Sequence, residues 1–202
     1  MSIAVIDYGM GNLFSVAKAL EAVGVSFEIL TEPASLLRYE RAILPGVGAF
    51  SDGMTNLHYQ GWVNPLKQFA TEKPLLGICL GMQLFMTKGF EHCEVEGLGI
   101  ISGEVVKLFG DKIIRLPHVG WNELIQRCED PIFSQIRQNE DFYFVHSYCC
   151  KVTEPQTQLA TTCHGEEFLA VVKHGSVYGA QFHPEKSGAL GLQFLKNFCT
   201  VC

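Results

Sequence analysis

The sequence predicts an α/β protein whose central sheet is mostly parallel, covered on both faces, and extended by antiparallel strands in its second half. Between Ile3 and Lys88, short apolar runs alternate with stretches of helical spacing. The runs are near-continuously apolar, as in strands buried on both faces. From Gly97 to Phe182 the runs are short, rich in β-branched and aromatic residues and bounded by turn residues, which suits antiparallel pairs. A chain of 202 residues is long enough to bury one full core, and the length favours a single domain over residues 1–202.

Taken in order, Ile3 to Tyr8 reads as a strand, followed by Gly9 and Gly11. Leu13, Val16, Ala17, Leu20 and Val23 then recur at helical spacing up to Gly24. Ser26 to Leu30 is a second strand, and Arg41 to Leu44 a third that stops at Pro45. A helix is expected around Trp62 to Thr71, a strand at Pro74 to Ile78, and a helix from Leu80 to about Lys88. In the second half the expected strands are Gly103 to Leu108, Lys112 to Leu116, Phe142 to Cys149, Leu159 to Thr162, Phe168 to Lys173 and Ser176 to Phe182. His174-Gly175 serves as a hairpin turn between the last two. Leu190 to Phe198 closes the chain as an amphipathic helix.

Composition narrows the function. The formal charge is −6 and no Lys/Arg block is present, which argues against a nucleic-acid partner and for small-molecule chemistry. The N-terminus lacks the pattern of a signal peptide and no apolar run is long enough to span a bilayer, so a cytoplasmic location is expected. There the eight cysteines stay reduced. Cys199 and Cys202 form a lone CxxC pair without a second ligand pair, so no metal site is expected.

Three segments carry chemistry. In LLGICLGMQ (Leu75 to Gln83), an apolar strand turns into a helix with Cys79 at the corner and Gly77 and Gly81 two residues away on either side. Glycines remove the Cβ atoms that would block a tight turn, and a helix N-terminus favours a thiolate, so the corner suits a nucleophile. The same segment also suits a buried core cysteine. In GAQFHPEKS (Gly179 to Ser187), Pro184 biases His183 toward extended backbone, where residues two apart share a side, so Glu185 can orient the His183 imidazole. Glu185 could instead favour the start of the final helix electrostatically. In LPGVGAF (Leu44 to Phe50), Gly46 and Gly48 let backbone N–H groups turn toward a developing oxyanion or a bound anion. Neither this loop nor Gly9 to Asn12 completes a phosphate-binding fingerprint, so no cofactor is expected. A nucleophile, a distant His-x-Glu and a glycine loop together suit acyl transfer.

GICLGMQ, FHPEKS and PGVGAF resemble the motifs of class I (triad) glutamine amidotransferases. IDYGMGNL, LPHVGWNE (Leu116 to Glu123) and FYFVHSY (Phe142 to Tyr148) narrow the likeness to the glutaminase subunits of imidazole glycerol phosphate synthases, along the whole chain. The resemblance implies a flavodoxin-like three-layer sandwich and hydrolysis of glutamine to glutamate and ammonia. The ammonia would pass to a separate (β/α)8-barrel cyclase subunit, in a heterodimer serving histidine biosynthesis. It implies Cys79, His183 and Glu185 as the catalytic triad and backbone N–H groups of Leu80 and of Val47-Gly48 as the oxyanion hole. Gln83, Glu91, His146, Ser147 and Tyr148 would line the glutamine pocket, and Asn12, Trp121, Asn122, Tyr143 and Lys186 would face the partner. Two positions depart from the pattern. Gly89 stands where relatives often have serine, and Val119 where methionine is usual. The alternatives are a paralogous glutaminase feeding a subunit that amidates surface sugars, a non-catalytic binding subunit, and a peptidase or other hydrolase on the same fold.

Overall fold

The computed structural model describes residues 2–108 and 115–202. In chain order the elements are β1 (Ile3–Ile6), α1 (Leu13–Ala22), β2 (Phe27–Leu30), β3 (Arg41–Gly46), α2 (Phe50–Tyr59), α3 (Val63–Glu72), β4 (Leu75–Cys79), α4 (Leu80–Leu84), β5 (Met86–Gly89), β6 (Val95–Glu96) and β7 (Ile101–Lys107). There follow β8 (His118–Gln126), β9 (Glu140–His146), β10 (Tyr148–Val152), β11 (Gln158–His164), β12 (Glu166–His174), β13 (Val177–Ala180) and α5 (Gly188–Thr200). The central sheet has nine strands in the order β2-β1-β3-β4-β13-β12-β11-β8-β9. Pairing is parallel from β2 to β13 and antiparallel from β13 to β9, so the expected change of strand direction falls at β13.

Two cores cover the sheet, which makes the sandwich three-layered. Val16, Ala19 and Leu20 of α1 and Phe194, Leu195 and Phe198 of α5 pack with Ile3, Val5 and Ile43 on one face. On the other, Phe50, Met54, Leu57, Leu66 and Phe69 of α2 and α3 pack with Ala4, Ile6, Ala42 and Leu44. The alternation of Ile3/Ala4/Val5/Ile6 between these cores is the two-residue period of a strand buried on both sides.

Several expectations need correction. Strand β3 continues through Pro45 to Gly46, pairing Pro45 with Ile78 and Gly46 with Cys79. Its pairing with β1 ends at Ile43, so the imino nitrogen of Pro45 deprives no second ladder of a donor. The helix expected from Leu80 to Lys88 stops at Leu84, and Met86–Gly89 pairs as a strand with β7 and β6. Gly103 to Leu108 does not extend the central sheet. As β7 it joins a separate four-stranded sheet, β10-β7-β5-β6. The run Phe142 to Cys149 is two strands in different sheets, divided at Ser147. The hairpin turn falls at Gly175-Ser176, one residue beyond the expected pair. The strand expected at Lys112–Leu116 lies, but for Arg115 and Leu116, outside the described residues.

Besides the short strand β6, helix α2 and strand β8 lie where the sequence predicts no element. Helix α2 follows the glycine loop and buries Phe50, Gly53, Met54 and Leu57 at helical spacing. Strand β8 carries His118, Gly120, Asn122 and Leu124 at alternate positions, and two polar residues and a glycine hide the alternation expected of a strand.

Candidate active site

Cys79 closes β4 and begins α4 with φ of 53° and ψ of −107°, a conformation that L-residues rarely adopt. The glycines around it are needed for close approach of backbones. A Cβ on Gly81 would lie 1.8 Å from the Leu44 carbonyl oxygen of β3, and one on Gly77 would lie 2.6 Å from Gly81 C and Met82 N. The corner therefore packs directly on the neighbouring strand, with the Cys79 side chain at the floor of a cavity of about 390 Å³. Cys79 is only 7% exposed, so it is both a core contact and a pocket residue.

Strand β13 is the neighbour of β4 and carries the chain into the turn Pro184–Lys186, preceded by His183. His183 is extended, with φ of −99° and ψ of 96°, as the following proline requires. The turn is a 3-10 helix rather than a continued strand, yet it places Glu185 Oε1 2.7 Å from His183 Nδ1. Both side chains are 2% exposed. Burial opposes a charged His183 ring, but the neighbouring Cys79 sulfur, as thiolate, and the Glu185 carboxylate outweigh it and raise the His183 pKa to about 10. The ring therefore carries its proton at neutral pH and is a ready general acid. Its Nε2 is buried without a hydrogen-bond partner among the described residues.

The glycine loop forms the opposite rim. Val47 and Gly48 line the cavity with Leu80, and Gly48 has φ of +106°, accessible at low cost only to glycine. Gln83, Glu91, His146, Ser147, Tyr148 and Lys186 line the rest of the wall together with Val145, which sequence reasoning did not single out. His146, Ser147 and Tyr148 reach it because Ser147 is the crossing point between the two sheets. Gln83 donates to the Tyr148 carbonyl at 2.9 Å, and Glu91 accepts from the Phe50 N–H at 2.8 Å, at the start of α2. Gly89 accommodates Phe50: a Cβ there would lie 2.7 Å from the phenyl ring. Burial pushes the His146 pKa down to about 3, and its Nδ1 lies 2.8 Å from the Tyr148 carbonyl. The ring is neutral, with Nδ1 as the donor.

Gln181 joins the site without having been anticipated. Its Nε2 lies 3.6 Å from Cys79 Sγ and its Oε1 accepts from Gln83 at 3.1 Å. The signal was present: Gln181 stands two residues before His183 in the same extended segment, hence on the same side.

A family model, glutamine amidotransferase class-I, matches residues 4–202. The chain belongs to this family. Among similar proteins is the imidazole glycerol phosphate synthase subunit HisH 1 of Campylobacter jejuni, 46% identical over 98% of this chain and 100% of that protein. The imidazole glycerol phosphate synthase subunit HisH of Carboxydothermus hydrogenoformans is 47% identical over 96% of each. In fold, the chain superimposes on the structure of PurLQS from Thermotoga maritima with a TM-score of 0.75 at 20% identity, covering 98% of this chain and 96% of that one. As a member of this family, the chain is an enzyme of cysteine-dependent glutamine hydrolysis.

Replacing Glu185 with glutamine tests the electrostatics of the pair. The raised His183 pKa means that the protonated ring is retained well above neutrality and lost as pH rises through about 10. The E185Q variant is expected to lose about 10²-fold or more in kcat and to move the alkaline limb of its pH-rate profile to lower pH. An alkaline limb that stays in place would show that Glu185 does not support the imidazolium.

Proposed function

We propose that this chain is the glutaminase subunit of an imidazole glycerol phosphate synthase, supplying ammonia to a (β/α)8-barrel cyclase subunit in a cytoplasmic heterodimer. The observation that carries the reading is the convergence of Cys79, the buried His183–Glu185 pair and the Val47–Gly48 loop on one cavity. The names of the 41–47% identical relatives supply the pathway.

In the proposed reaction, the Cys79 thiolate attacks the glutamine side-chain carboxamide carbon. N–H groups of Leu80 and of the Val47–Gly48 segment stabilise the oxyanion, each donor being worth roughly 10²–10³ in rate. His183 gives its proton to the departing nitrogen, so the C–N bond breaks, ammonia leaves and a glutamyl thioester remains. His183 then takes a proton from water as the oxygen attacks the thioester. Glutamate departs and the thiolate is restored. Glu185 holds the ring throughout. Glu91 receives the substrate α-amino group, while Gln83, His146, Ser147 and Tyr148 shape the rest of the pocket.

The face assigned to the partner is built from exposed apolar groups. Trp121 is 54% and Val119 57% exposed on β8, and the Trp121 ring packs edge-on to Tyr143 at 5.8 Å. This exposure favours docking over a core role for Trp121. Lys186 is exposed beside the cavity, whereas Asn12 caps α1 through the Ser15 N–H and Asn122 donates to the Cys163 carbonyl at 2.7 Å. Those two asparagines already serve the fold, so their partner contacts would be additional to these.

The test combines the chain with its barrel subunit. Hydrolysis by the chain alone should be slow and should rise at least about tenfold when the partner binds its acceptor. The glutamine analogue 6-diazo-5-oxonorleucine should label Cys79 in the complex. Stimulation by a sugar-amidating subunit instead would assign the chain to the paralogous glutaminases, a reading supported by valine at the exposed position 119. Absence of labelling even with a partner would point to a binding subunit.

A further inference from the structure

Ser187 closes the FHPEKS segment, and the mechanism above leaves it without a role. It occupies the N-cap position of α5, where a serine hydroxyl ordinarily accepts from a free helix N–H, but here it makes no capping bond. The hydroxyl is turned the other way and is buried with the residue, which is 2% exposed. It accepts from the Tyr143 N–H at 3.0 Å and donates to the His183 carbonyl at 2.7 Å. The His183 N–H in turn donates to the Tyr143 carbonyl at 2.9 Å. Both peptide groups of Tyr143 are thus tied to His183, one directly and one through a single hydroxyl.

We propose that Ser187 is a positioning residue for His183, and that the closed ring of hydrogen bonds Tyr143–Ser187–His183 couples the exposed face at Trp121 and Tyr143 to the general acid. The inference rests on the glutaminase reading above and deepens it. The physical argument is one of degrees of freedom. His183 Nδ1 is held by Glu185, but Glu185 belongs to the same short turn, so that bond orients the ring within the turn and not against Cys79. Position relative to the β4 corner is set by how the turn is anchored to the sheet. β13 ends at Ala180, the Gln181 N–H still donates to the Ala170 carbonyl of β12, and His183 itself is tied to a strand through Tyr143 of β9, so this ring anchors the turn on the β9 side. Tyr143 carries on its side chain the contact with Trp121. A partner pressing on that aromatic pair therefore acts on the residue whose N–H and carbonyl hold His183. Reactive geometries tolerate little displacement, so a loosened anchor lowers turnover without altering the residues that contact glutamine.

The test uses Ser187→Ala and Ser187→Cys in complex with the imidazole glycerol phosphate synthase barrel subunit of the same organism. Threonine is unsuitable, because the turn packs closely around this residue: even a Cβ on Gly191 would lie 2.8 Å from Ser187 Cβ. For S187A the expected result is a loss of about 10–100-fold in kcat with KM within about twofold of the parent, and a smaller stimulation by the partner's acceptor. The S187C thiol, a weaker donor in the same place, should restore part of both. Unchanged kcat and stimulation in S187A would overturn the inference. So would a loss that tracks a lowered melting temperature and is not relieved by S187C. If the parent complex itself fails to hydrolyse glutamine, the glutaminase reading fails instead, an outcome distinct from an unaltered S187A.

Discussion

Cys79→Ala is expected to remove glutamine hydrolysis by the complex almost entirely, a loss of about 10⁴-fold or more in kcat, while leaving the fold intact. The thiol is the group that forms the acyl bond, so nothing remaining in the pocket substitutes for it. The same residue carries a cost to stability. With φ of 53° it holds a conformation that places Cβ against the backbone, and alanine keeps that Cβ whereas glycine does not. Cys79→Gly should therefore be inactive yet more stable than Cys79→Ala by about 1 kcal/mol, measured by denaturant unfolding of the two variants side by side. Equal stabilities would show that the corner is not strained. Retention of hydrolysis in either variant would remove Cys79 from the mechanism.

Gly81→Ala should destabilise the protein more than any surface substitution, by about 4 kcal/mol or more, and much of it should be recovered insoluble. The added Cβ would lie 1.8 Å from the Leu44 carbonyl oxygen, an atom of a central strand with no freedom to withdraw. Either β3 separates from the corner or α4 tilts away from the sheet, and in both cases Cys79 leaves its place beside His183. Gly99→Ala is the control. Gly99 has φ of +63° but nothing within 4 Å of an added Cβ, so only the backbone preference is lost, about 1 kcal/mol. Comparable losses in the two variants, read from urea midpoints, would contradict the packing argument.

The triad was legible in the sequence because its members sit in short segments whose local rules are strong. A glycine on each side of Cys79 announces a tight corner, and a proline after His183 announces an extended backbone. The parallel half of the sheet was legible for a similar reason, since strands buried on both faces leave unbroken apolar runs at Ile3–Ile6 and Leu75–Ile78. Strand β8 was not, because His118, Gly120 and Asn122 occupy alternate positions and carry no hydrophobic signal. Nor was the end of α4. Leu80 to Leu84 is buried throughout, so no polar face marks where the helix stops, and Met86 to Gly89 become a strand only because β7 lies alongside.

By itself, then, the sequence determined the parallel α/β core and the local form of each reactive segment. Together with the family resemblance it also indicated the chemistry. Only the tertiary structure decided how those segments meet. The run Phe142 to Cys149 looks like one strand, yet it divides at Ser147 between two sheets, and that division turns His146, Ser147 and Tyr148 into a pocket wall. The contact of Gln181 with Cys79 and the anchoring of His183 to Tyr143 through Ser187 are likewise long-range. The physical reason is common to all three. Local propensity acts over a few residues, whereas sheet order and strand register place groups that are tens of residues apart within hydrogen-bonding distance, and no periodicity in the chain encodes that placement. For Cys79 the local rules specify a corner at which a nucleophile can stand, and the tertiary arrangement supplies the acid, the anchor and the pocket that surround it.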